Sequence, residues 1–372
     1  MYLMPRLFGI TMYCLIMLIF IIALMVSKKS KFILFIYAIV LAVMAYFYVP
    51  SYTADLYRIY NMMEYYVSMP FNEVLSVAVT SETPAAILYY YYIGKTGFPN
   101  LLPSITALIY YGNVFSIITR VKRKYKLNRN SVSIIVLFVM AFGQYVQVIS
   151  GIRNMIAFSI IAKCIYEEFI ENKKIISNLW KYVIAILFHQ SATIVFIIRI
   201  IYEISTFNRT SSKDKAFKVS GIFIIIVLGI KYGQGLFRTV LSSATHYLTR
   251  NVYFYFWEFL LTALHILLII VLMQRYKKLL KSEKNVLCLY RYVKIMIIIN
   301  LIFIFEYNTF QRFSVLISML MIPLLGKILK NIEENYKIPF NKNTRVIILL
   351  FSIIILLLAC VRGNLSALKF FV

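Results

Sequence analysis

Acidic charge is scarce in this sequence. Only 14 Asp+Glu stand against 40 Lys+Arg in 372 residues, and charged residues of both signs make up 15% of a chain that is 62% hydrophobic. A soluble domain carries roughly a quarter charged and half apolar residues, so a water-soluble globular fold is excluded and a bilayer is the solvent implied. Cysteine is also sparse. Cys14, Cys164, Cys288 and Cys360 lie far apart in the sequence with no CxxC, so neither a disulfide framework nor a cysteine zinc site is suggested. Strand-like alternation is missing from the apolar runs, such as residues 259–273 and 347–361. Lipid cannot satisfy backbone polar groups, so the spans are helices rather than strands of a barrel. No cleavage motif of the A-x-A kind follows residues 1–26, which read as a first span and not as a removable signal.

What is present is an all-α, polytopic integral membrane domain over residues 1–372, with about 10–12 transmembrane helices plus re-entrant half-helices facing the outer side. No soluble domain, repeat or low-complexity tract interrupts it. The formal net charge of +26 is a matter of topology and not of nucleic acid, because Lys and Arg collect in cytoplasmic loops. Basic loops at about 120–130, 203–218, 275–285 and 327–345 are therefore expected inside, with external loops at about 50–83 and 231–252. The first external loop holds Asp55, Glu64, Glu73 and Glu82 but a single basic residue, Arg58.

Loop parity then requires two unusual elements. Residues 84–93 are too short to cross and are followed by Gly94, Gly97 and Pro99, so they read as a half-helix entering from outside. Residues 179–201 read as two short helices meeting near His189. Each remaining apolar run is one crossing, including residues 132–149, 152–166 and 219–230. Non-helical backbone at such depth survives only where protein or a wet cavity surrounds it.

A charge at membrane depth costs at least ~2.5–3.5 kcal/mol on insertion scales, so it usually has a function. Arg153, His189, Glu306 and Arg312 stand out. Under this topology each falls at the outer end of its helix, at the level of Asp55 and Glu82. Each also has an ordinary structural use: headgroup snorkelling for the arginines, a salt bridge for Glu306, helix packing for His189. His246 and His265 read as structural. The tyrosines at 89–92 suit an interfacial belt or a surface for sugar C–H faces.

These residues also resemble the EpsG family of bacterial polysaccharide polymerases, relatives of the Wzy polymerases of O-antigen, capsule and exopolysaccharide. Ile152-Arg153-Asn154-Met155-Ile156-Ala157 is similar to the family's I-R-Q-x-x-A, with Asn154 in place of Gln. Phe188-His189-Gln190-Ser191-Ala192 matches its F-H-x-S-A. Asp55-Leu56-Tyr57-Arg58-Ile59-Tyr60 is similar to its D-x-Y-x-x-Y run, although the glycine that commonly precedes that run is absent. Glu82-Thr83-Pro84 is similar to its acidic entry to the half-helix, and Arg312 to its late Arg.

The resemblance implies a membrane glycosyltransferase of the bacterial cytoplasmic membrane. It would join undecaprenyl-pyrophosphate-linked oligosaccharide repeat units on the outer face. An acceptor hydroxyl attacks the anomeric carbon of the donor, and lipid pyrophosphate leaves. Arg153 and Arg312 would then bind pyrophosphate, because a guanidinium holds two phosphate oxygens and stays charged. His189 is the leading base, its ordinary pKa lying near neutrality, with Glu82, Asp55 and Glu306 as alternatives. Glu306, Asn154 and Tyr60 would support the site. No metal or cofactor is expected, since the first external loop lacks paired acids. A chain-length regulator and a flippase of the same pathway are the implied partners. A glycan ligase or acyltransferase would use similar residues. A lipid-linked glycan flippase would instead show related halves and midplane charges.

Overall fold

A computed structural model describes residues 3–52, 54–206, 256–335, 339–362 and 368–370, and helices dominate them. The expected loop and span at 203–230, the expected external loop at 231–252 and His246 lie outside the described residues, apart from 203–206. In chain order the helices are α1 (Leu3–Val26), α2 (Ser30–Tyr46), α3 (Asp55–Ser68), α4 (Phe71–Thr80), α5 (Pro84–Lys95), α6 (Leu101–Tyr125), α7 (Arg129–Phe142), α8 (Tyr145–Ser150), α9 (Ile152–Phe169), α10 (Ile175–Phe188), α11 (Ser191–Thr206), α12 (Phe256–Arg275), α13 (Lys277–Leu280), α14 (Lys284–Ile302), α15 (Tyr307–Glu334) and α16 (Pro339–Arg362).

Among the described residues six helices are long and apolar enough to cross a bilayer, at Leu7–Val26, Leu101–Tyr125, Phe256–Arg275, Lys284–Ile302, Tyr307–Glu334 and Asn343–Val361. Among the described residues the further crossings expected from the sequence, such as those at 132–149 and 152–166, fall on shorter helices. The most enclosed of the long helices is α15, with 89% of its apolar window buried. It packs against α6, α7, α9, α12 and α14. Close approach to α6 is possible because residue 326 is glycine: a Cβ there would lie 2.3 Å from Val121 Cγ1 and 3.1 Å from Tyr125 Cδ2. Small residues at a crossing let two backbones come together, the usual device where lipid supplies no hydrophobic drive.

Three local departures from the sequence reading matter for the site. The stretch expected as an external loop folds into α3 and α4. Leu56, Ile59, Met63 and Tyr66 are buried along one face of α3 at helical spacing, a stripe too narrow to register as an apolar run. The span expected at 132–149 is broken between α7 and α8. Gln144 there adopts φ 27°, outside helical space, and its side chain accepts a hydrogen bond from Gln311 Nε2 at 3.2 Å. The helices also run past their apolar spans: α6 continues through Lys122, Arg123 and Lys124, where basic groups complement the negative end of the helix dipole.

α10 and α11 meet at His189 and run antiparallel. Tyr182 on α10 contacts Phe196 on α11, ring centroids 4.9 Å apart. Further from the turn, Tyr202 on α11 meets Phe169 at the end of α9. Glu168 of α9 holds both arms. It accepts from Arg199 Nε at 2.8 Å, Asn178 Nδ2 at 3.2 Å and Tyr182 Oη at 3.3 Å. With 14 residues α10 is about 21 Å long, short of the ~30 Å hydrocarbon core.

Candidate active site

Between α8 and α9 the chain turns at Gly151. A Cβ at this position would sit 2.8 Å from Gln147 O, so glycine permits the tight turn. The turn leaves the N-terminus of α9 without a side-chain cap. The first N–H groups of a helix have no intrahelical acceptor, and the helix dipole adds partial positive charge there. Residues 150–154 at this end line a cavity of about 230 Å³ together with Asp55, Arg58, Ile59 and Met62 of α3 and Arg312 of α15.

The charges of this cavity come from three distant helices. Asp55, the first residue of α3, is ion-paired to Arg58 one turn on, and its other oxygen lies 4.0 Å from Arg312 Nη2. Arg153 is on the first turn of α9 and exposed. Three guanidinium groups and an uncapped helix N-terminus thus face one carboxylate, so the cavity is anion-seeking. Asn154 is buried, and its Oδ1 has no hydrogen-bond partner.

His189 is buried at 8% exposure, and Arg312 and Arg153 are the charges that act on it. Its position follows from the motif it belongs to. His189 ends α10, its N–H donating to Ala185 O at 3.0 Å. Its ring then turns forward, and Nδ1 accepts the N–H of Ser191, the first residue of α11, at 3.1 Å. One side chain therefore serves the start of α11 while its Nε2 edge is left for another partner. Ala192 is fully buried beneath the turn. Against it α5 stands with its tyrosines: Tyr89 makes an edge contact with Phe188 at 5.9 Å and donates to Leu102 O at 3.2 Å. Tyr90 and Tyr91 are buried, and Tyr92 faces outward.

The structure thus brings Asp55, Arg153, Asn154 and Arg312 onto one cavity, with His189 close by. The other sequence candidates sit elsewhere. Glu306 caps α15, its carboxylate accepting the Thr309 N–H at 2.6 Å, six residues before Arg312. Tyr60 donates to Asn100 Oδ1 at 3.1 Å and ties α3 to the turn before α6. Glu82 is exposed before α5 and does not line the cavity. Sequence reasoning passed over Arg58, which it met only as the lone basic residue of an acidic loop. Its i,i+3 spacing from Asp55 was the available signal. It also passed over Arg199 with Glu168, a buried pair legible as charges inside apolar helices. The described residues contain no cluster of His, Cys, Asp and Glu suited to a metal ion.

A family model described as EpsG family matches residues 87–370. No curated protein and no solved structure matches the chain. The family match spans Arg153, Asn154, His189, Glu306 and Arg312. Asp55, Arg58, Tyr60 and Glu82 precede it.

Proposed function

Because the chain belongs to the EpsG family, we propose that it polymerises a surface polysaccharide, joining oligosaccharide repeat units carried on undecaprenyl pyrophosphate at the outer face of the bacterial cytoplasmic membrane. The observation that carries this reading is the anion-seeking cavity. Arg58, Arg153, Arg312 and the uncapped end of α9 converge there, which suits a pyrophosphate that gains charge as it departs.

In this reading an acceptor hydroxyl forms the new bond to the anomeric carbon of the donor, and the bond from that carbon to the pyrophosphate oxygen breaks. Arg153 and Arg312 hold the leaving oxygens, where fixed charges act most strongly as negative charge develops. The hydroxyl proton passes to Asp55, the carboxylate that lines the cavity. His189 has a different part from the one its sequence suggests. An imidazole nitrogen that accepts a backbone N–H carries no hydrogen itself, so the neutral ring bears its hydrogen on Nε2. A ring in this form donates from Nε2 and cannot take up a proton there. His189 therefore supplies a hydrogen bond to the departing pyrophosphate. Asn154 Oδ1, buried without a donor, accepts from a sugar hydroxyl.

The test uses the purified protein in liposomes with a lipid-linked repeat unit. Native protein should convert single repeats to a ladder of chains and release lipid pyrophosphate. Asp55→Asn should leave single repeats on their carrier. Transfer of one intact glycan to a non-carbohydrate acceptor, with no ladder, would replace the polymerase by a ligase.

A further inference from the structure

Far from the cavity, at the end of the molecule where α1 joins α2 and α6 joins α7, lies a recess of about 470 Å³. Six basic side chains line it, Lys28, Lys29, Lys31, Lys122, Arg123 and Lys126, and no acidic one. Several basic residues elsewhere at these helix ends are paired with carboxylates. Arg120 pairs with Glu167 and Glu171, Lys181 with Glu167, Lys327 with Glu283, and Lys330 with Glu333 and Glu334. Among the described residues none of the six in the recess has a carboxylate within 4.0 Å. Glu333, near this loop, is turned to the Asn128 N–H and to Lys330.

The recess is also built. Lys122 Nζ donates to the buried Ser30 Oγ at 2.6 Å, and Arg129 donates to Val26 O at the end of α1. These bonds clasp the two loops together. The N-terminus of α2 opens on the recess at Lys29 without a side-chain cap, which adds the positive end of a 17-residue helix to the six cations. Uncompensated positive charge held in one place, with free backbone N–H groups beside it, is the environment of a phosphate-bearing anion.

What adjoins the recess selects the kind of anion. Val26 at the end of α1 and Phe32 and Phe35 at the start of α2 are exposed apolar side chains, continuing into the exposed Ile22, Leu18 and Leu15 along α1. A free phosphate would use the cations alone. A lipid would use both, its headgroup on the lysines and its chains along the apolar face. We propose that this recess binds the headgroup of an anionic phospholipid, and that the lipid fastens the loops joining α1 to α2 and α6 to α7. The site is independent of the polymerisation reading and uses none of its residues.

Native mass spectrometry of the full chain in detergent tests it, with phosphatidylglycerol and phosphatidylcholine as probes. Phosphatidylglycerol should bind and phosphatidylcholine should not. The variant Lys28→Gln/Lys29→Gln/Lys31→Gln should bind phosphatidylglycerol about a hundredfold more weakly, from the usual contribution of a basic residue near an anionic headgroup. The control variant Lys277→Gln/Lys278→Gln/Lys281→Gln, which removes as much charge from another loop, should retain it. Millimolar inorganic phosphate should not displace the lipid. Equal loss in both variants would reduce the recess to diffuse surface attraction, and displacement by phosphate would make it a small-anion site. Either result overturns the proposal.

Discussion

At His189 two roles predict opposite outcomes from one substitution. A general base must accept a proton, and glutamine cannot. A donor at Nε2 needs only an N–H in that place, and a glutamine amide can supply one. Because Nδ1 already accepts the Ser191 N–H, we expect His189→Gln to keep a substantial share of chain synthesis. His189→Ala should leave mostly single repeats. Chain length on a gel, at matched protein levels, separates the two, and an inactive His189→Gln beside a well-folded protein would return the base to this position. Arg153 offers a second residue-scale test. Lysine keeps its charge but loses the planar fork, so Arg153→Lys should lower polymerisation by about tenfold or more, in line with the loss of a charge-assisted hydrogen bond worth roughly 1.5–3 kcal/mol. Full activity would leave Arg153 as a headgroup contact, consistent with its exposure.

At the scale of the elements, the long apolar spans were legible because hydrophobicity over some twenty residues needs no partner to be seen. The pairing of two short helices at His189 was legible from charge, since only a turn there put the later basic loops on the same side as the earlier ones. Other features depend on contacts made far along the chain. The break at Gln144 is held by Gln311, 167 residues away. The stripe on α3 has meaning only once α5 and α8 lie against it. Glu168 and Arg199 stand 31 residues apart and each looks like an isolated charge until α11 folds back. Their pairing predicts that Arg199→Leu, which strands a buried carboxylate, will destabilise the protein by about 3–5 kcal/mol. Thermal unfolding in detergent should show the loss, and Arg199→Leu combined with Glu168→Leu should recover most of it. At the other packing contact, Gly326→Ala places a methyl on Val121 and should cost about 1–3 kcal/mol by overpacking. Val121→Ala should relieve it if α6 and α15 meet as described, and a strictly additive pair of losses would count against that contact.

The whole molecule has two chemically different ends, and their difference predicts a direction in the membrane. At one end lie Asp55, Arg58, Arg153 and Arg312 around the cavity, with Glu64, Glu73 and Glu82 on the acidic helices and turns nearby. At the other end lie the six cations of the recess and the dense pairs around Glu167 and Glu168. Lys and Arg near the ends of spans are retained on the cytoplasmic side, whereas acidic residues contribute little to orientation. The cavity end should therefore face outward, as a polymerase acting on exported repeat units requires. Cysteine substitution tests this with a membrane-impermeant thiol reagent on intact cells. Tyr52 precedes α3 and is 83% exposed, so Tyr52→Cys should be labelled. Lys28, exposed between α1 and α2, belongs to the basic end, so Lys28→Cys should react only after the membrane is opened. The native cysteines give a low background, since Cys14, Cys164, Cys288 and Cys360 all lie within helices and none is exposed. Labelling of Lys28→Cys in intact cells would invert the molecule. It would place the arginine cavity on the cytoplasmic side, away from exported substrate, and the polymerisation reading would fall with it.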